Sequence, residues 1–226
     1  MPLDFNILGQ GIYSPRQAAR LIGGKPQDVL RWTRGSGSSE PLWNAYYQAL
    51  EDATELSFSD VVELRVVKSF RDAGISLQAI RYAISFAQRQ YGVERPLSTL
   101  RFKTDGREIL HEALELDGQM VSLSKKRPGQ KVFTEIIKQS LSGLEYEDGN
   151  AARWRPAQAK HVVIDPGRQF GSPMVDEFGI STAVLFDEFE EFKDMAYLSR
   201  IYEIPNSVIL DAVRYEQNLD KTGAYG

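Results

Sequence analysis

Five cations crowd the opening stretch: Arg16, Arg20, Lys25, Arg31 and Arg34. Clustered arginine and lysine side chains on one short element suit phosphate oxygens, which position a protein on a duplex. Lys25, Gln27 and Asp28 fall at the start of one candidate helix, where donors and acceptors read base edges in a major groove. Arg31 and Trp32 are the side chains expected at the DNA backbone, the guanidinium on phosphate and the ring against sugar. Arg16, Arg20 and Arg34 would add phosphate contacts. A solvated arginine surface around a buried Trp32 is the competing reading.

A second chemical cluster is acidic: Asp187, Glu188, Glu190, Glu191 and Asp194. Helical spacing puts Asp187 with Glu191, and Glu190 with Asp194. A metal site or acid–base pair needs more than this, because no histidine or second carboxylate-bearing helix lies near in sequence. The expectation is a solvated face, with a docking surface for a basic partner as the lesser reading. His111 and His161 are far apart and have no catalytic neighbours. The chain has no cysteine, which excludes disulfides, thiolate metal sites and a thiol nucleophile. Gly35-Ser36-Gly37-Ser38 lacks the Lys-Thr ending of a phosphate loop. No catalytic residue, metal or cofactor is expected, and the chain is not read as an enzyme.

The elements that must hold the cations are two short helices. Ser14-Pro15-Arg16-Gln17 opens the first, with Ser as N-cap, Pro at the first helical position and Gln three residues on. Ala18, Ala19, Leu21 and Ile22 give it an apolar face, and Gly23-Gly24 stop it. Lys25-Pro26 start the second, in which Val29 and Leu30 are expected inside, and Gln27, Asp28, Arg31, Trp32 and Arg34 outside. Such a pair suits a helix-turn-helix, with Gly35 to Trp43 as a wing.

Ser59 is the expected cap of a buried helix carrying Val61, Val62, Leu64, Val66, Val67 and Phe70, closed by Gly74. Ser76 caps another, with Leu77, Ile80, Ile84, Ala87 and Tyr91 at helical spacing up to Gly92. From Leu97 to Phe133, four short runs (Leu100 to Lys103, Glu108 to His111, Met120 to Leu123, Lys131 to Phe133) and the turn pairs Asp105-Gly106 and Asp117-Gly118 predict a small antiparallel sheet. Thr134 caps a helix to about Ser142, and Gly143 to Gln158 reads as a polar connection. The last third predicts short strands at Val162 to Asp165 and near Met174-Val175. Three helices follow, the last after Pro205.

The fold class expected is therefore α+β, mainly α. Residues 1–95 form a winged helix-turn-helix unit, 96–145 a β-rich segment suited to dimerisation, 146–160 a linker, and 161–226 a small homeodomain-like helical unit. The 226 residues, 42% hydrophobic and 26% charged, are ordinary for a globular chain. Net charge is −4 and the pI about 5.4, so any nucleic-acid surface must be local. Met1 to Gly11 lacks a signal-peptide pattern, and no run is apolar enough to span a bilayer. A cytoplasmic protein with no membrane partner is expected.

Val29-Leu30-Arg31-Trp32-Thr33-Arg34-Gly35 resembles the end of the recognition helix of MerR-type winged helix-turn-helix proteins. Leu56 to Leu64 and Ile75 to Arg81 resemble the starts of that family's next two helices. The family's long dimerising helix and effector-binding cysteines are not matched. Separately, Ile164-Asp165-Pro166, Gly171-Ser172-Pro173-Met174-Val175, Ile180-Ser181-Thr182 and Ile204 to Tyr215 resemble the small helical domain called domain of unknown function 433. Glu177-Phe178-Gly179 stand where that family usually has Gly-Thr-Arg. The combination is similar to the layout of VapB-like antitoxins. That resemblance implies a type II antitoxin that neutralises a PIN-like ribonuclease toxin and binds double-stranded operator DNA as a homodimer. It further implies long cations that plug the toxin's acidic metal site, for which Arg200, Arg214 and Lys221 are the candidates. A MerR-like transcriptional regulator without a toxin is the alternative.

Overall fold

A computed structural model of the chain describes residues 9–37, 39–50, 53–118 and 130–224. Nine α-helices and two short 3-10 helices lie among the described residues, with one two-stranded and one three-stranded antiparallel sheet, so the chain is mainly α with a small β component.

Helices α1 (Pro15–Ile22) and α2 (Pro26–Arg34) form where the caps predict. Ser14 accepts from the Gln17 amide while the Gln17 side chain accepts from the Ser14 amide, and Gly23 ends α1 in the left-handed region. On α2, Val29, Trp32 and Thr33 face inward, and Leu30 is 36% exposed. This corrects the sequence expectation: the i, i+3, i+4 stripe runs through Trp32, so the large ring goes to the core and Leu30 outward. A tight turn follows, closed by hydrogen bonds between Ser36 and Ser39. A Cβ on Gly35 would stand 2.3 Å from the Ser39 carbonyl oxygen, so only glycine fits this turn.

Helix α3 (Phe58–Asp72) is capped by Ser57, not by Ser59 as expected. The reason is Asp60. Its buried carboxylate accepts from the Ser57 amide at 3.0 Å and the Ser57 hydroxyl at 2.8 Å. It also accepts from Trp43 Nε1 at 2.9 Å, the Tyr46 amide at 2.9 Å and Arg95 Nε at 2.7 Å. One carboxylate thus ties the segment after the turn to α3 and to the chain beyond α4 (Leu77–Tyr91).

The stretch from Leu97 departs most from the sequence reading. Leu100–Leu116 is a single helix, α5, and the run Lys131 to Phe133 belongs to another, α6 (Gln130–Ser140), which begins before Thr134. The expected strand at Met120 to Leu123 lies outside the described residues. Phe102, Gly106, Ile109, Leu110, Ala113 and Leu114 are buried on α5, a helical period that the Asp105-Gly106 turn signal masked. Gly106 is a packing residue here, with a built Cβ only 3.0 Å from the Phe102 ring.

The expected linker holds a hairpin. Strands β1 (Leu144–Glu147) and β2 (Asn150–Trp154) pair across Asp148 and Gly149, both at positive φ. Strands β3 (Val162–Val163), β4 (Met174–Val175) and β5 (Ile180–Ser181) form the second sheet. Helices α7 (Thr182–Phe192), α8 (Met195–Tyr202) and α9 (Asn206–Ala224) then enclose a core of Val175, Leu185, Leu198, Ile204, Ile209 and Val213. Asp194 is the N-cap of α8, accepting from the Tyr197 amide at 2.9 Å.

The two ends of the chain are joined. Tyr215 and Leu219 of α9 bury themselves in the N-terminal core. Tyr13 donates its hydroxyl to the Gly171 carbonyl at 2.9 Å, and the Ile12 amide donates to Phe170.

Candidate nucleic-acid interface

On α2, Lys25, Gln27, Leu30, Arg31 and Arg34 are exposed, and Arg16 is exposed on α1. Arg31 is held by an ion pair with Asp28, Nη2 to Oδ1 2.7 Å, one turn away on the same helix. This pairing presents the guanidinium while leaving other donors open. Arg34 donates to the Ala53 carbonyl. The helix therefore offers Lys25, Gln27 and Asp28 at its N-terminal end and two arginines at its C-terminal end, on a rigid support of Val29 and Trp32.

Two residues expected at DNA are occupied elsewhere. Trp32 is 3% exposed, so its ring cannot lie against a sugar. Arg20 is claimed by α9: Nη1 lies 2.7 Å from Glu216 Oε2 and Nη2 2.6 Å from Asp220 Oδ1. Burial opposes the charge on Arg20, but hydrogen bonds to Asp220 and Glu216 outweigh it and raise its pKa.

Arg81 of α4 was not among the residues expected at this surface. It donates to the Glu40 and Pro41 carbonyls, each at 2.8 Å, and so fixes the chain after the Ser36–Ser39 turn against α4. Arg31, Ser36, Glu40, Gln78 and Arg81 border an open groove of about 570 Å³ beside α2.

Arg200, Arg214 and Lys221 are exposed and form no ion pair among the described residues. Arg214 and Lys221 share a face of α9, about two turns apart. In the acidic cluster, Glu188 accepts from the Tyr202 hydroxyl at 2.6 Å, and Glu190 pairs with Lys193 at 2.7 Å. No group of three potential metal ligands occurs among the described residues. No helix among them is long and apolar enough to cross a membrane.

No family model matches the chain. Its fold is similar to that of a crystal structure of Rv2018 from Mycobacterium tuberculosis, with a TM-score of 0.68 over 89% of this chain and 96% of that one, at 20% identity. In sequence it is similar to the candidate antitoxin VapB45 of Mycobacterium tuberculosis. The two are 29% identical over 191 residues, 76% of this chain and 80% of that one.

Proposed function

We propose that the chain is the antitoxin of a toxin–antitoxin pair. It neutralises a PIN-like ribonuclease in the cytoplasm and binds operator DNA as a homodimer to control its own operon. The observation that carries this reading is the likeness to VapB45, which covers 76% of this chain. The DNA-reading part rests on α2, with Lys25, Gln27 and Asp28 at base edges and Arg16, Arg31 and Arg34 on phosphates. Two-fold symmetry would set two copies of α2 in successive major grooves.

Neutralisation follows from the chemistry of the partner. A PIN-like nuclease gathers carboxylates to hold a divalent cation. A guanidinium or ammonium inserted among them replaces the metal's charge and blocks the substrate phosphate. Arg200, Arg214 and Lys221 have the exposure and length for that role. Tagged protein expressed with the product of the adjacent gene should purify as a stable complex. Recovery of the chain alone, with the neighbour soluble but unbound, would contradict the assignment.

A further inference from the structure

Between the Gly23 end of α1, α3, the end of β2 and α9 lies a cleft of about 400 Å³. That volume is in the usual range for small-molecule sites, and the place, a junction of two units, is a common one. Its walls are mixed: Leu21, Ile22 and Leu219 are apolar, Trp154 is aromatic, and Arg65 and Lys68 are cationic.

Arg65 is the unusual group. Its guanidinium lies 4.3 Å from the centre of the Trp154 ring. Nη2 donates to the Ser142 carbonyl at 2.9 Å and the Ser142 hydroxyl at 3.1 Å. Every one of these partners is neutral, and no carboxylate pairs with Arg65 among the described residues. Nη1 is buried without an acceptor. Burial pulls the Arg65 pKa down to about 10, which still leaves it charged at neutral pH. A partly buried cation without a counter-ion is stabilised when something supplies the negative charge. Lys68 lies on the same wall with only Asp72, 2.6 Å away, to balance it. The cleft therefore combines one excess positive charge with aromatic and apolar walls.

We infer that this cleft binds a small organic anion, a carboxylate or phosphate ester on a compact apolar body. The anionic head takes the Arg65 side with Lys68, and the body lies along Trp154, Leu21 and Leu219. Gly23, which links the two helices of the DNA-reading pair, forms part of the wall, so occupancy bears on how α2 is held. That last link rests on the proposed DNA function; the binding itself does not.

Isothermal titration calorimetry of the full chain with benzoate and with phenyl phosphate tests the site directly. Saturable one-to-one binding of at least one probe is expected, with a dissociation constant on the order of 1 mM or tighter. Arg65→Met should weaken it by about tenfold or more. Lys68→Met, at the partly exposed cation of the same wall, should weaken it several-fold and serves where Arg65→Met does not fold. No saturable heat with either probe up to ~10 mM would overturn the inference, as would binding unchanged in Lys68→Met. Loss of DNA binding in the wild-type chain would leave this result untouched, so the two ideas fail separately.

Discussion

Arg20 of the first helix and Glu216 of the last form an ion pair of 2.7 Å, and Glu216 is 1% exposed. Thr182 at the start of α7 also donates its hydroxyl to Glu216. The N-terminal helix pair and the C-terminal helices are thereby connected through one buried carboxylate. Arg20→Ala should cost about 1–3 kcal/mol, the usual penalty for a stranded buried charge discounted because Arg20 is partly exposed. Urea unfolding measures this.

The same substitution separates a structural arginine from a DNA-contacting one. Arg31→Ala should reduce the slope of log K against log salt by about 1 and weaken binding at every sequence. Arg20→Ala should leave that slope unchanged under conditions where it is folded. Fluorescence anisotropy with upstream DNA at several salt concentrations compares them, and equal slopes for Arg31→Ala and wild type would take Arg31 out of the interface.

Gly171 has φ +87°, and a Cβ built on it would stand 2.0 Å from the Tyr13 hydroxyl oxygen. Gly171→Ala should therefore cost more than Tyr13→Phe, which loses one hydrogen bond worth about 1 kcal/mol. Chemical denaturation of the two variants checks the order.

Glu63 is fully buried, and burial pushes its pKa up to about 8 from an ordinary 4.5, although the Ser98 amide donates to Oε1 at 2.7 Å. The folded chain holds this proton where the unfolded chain releases it. Its contribution to stability is complete below about 4.5 and is lost as pH rises through about 8. Glu63→Gln should flatten this dependence and gain most, relative to wild type, above pH 8. Melting temperatures across that window report it; an unchanged pH profile would contradict the burial argument.

Helix ends were largely legible because their signals are local: Ser14, Gly23, Ser76 and Gly92 cap as read. The errors arose where distant contacts outweigh local preference. Ser59 is a good cap by type, but Asp60 binds Ser57 and anchors Trp43 and Arg95 from elsewhere in the chain. Asp105-Gly106 reads as a turn until the Phe102 ring and α4 are there to pack on. The Asp148-Gly149 hairpin signal was overlooked because its strands are mostly polar; Leu144, Ala151 and Trp154 commit it to the core. At the proposed DNA surface the exposed cations of α2 were legible. The diversion of Arg20 was not, since its partners lie some 200 residues away.

The central claim is that this chain neutralises a ribonuclease encoded beside it. Expression of the adjacent gene alone in a heterologous bacterium should arrest growth, and co-expression of this chain should restore it. Restoration should weaken when Arg200, Arg214 and Lys221 are changed together to alanine in a chain that remains folded. Growth arrest that persists at equal expression of both proteins, or an adjacent product that is harmless by itself, would contradict the account.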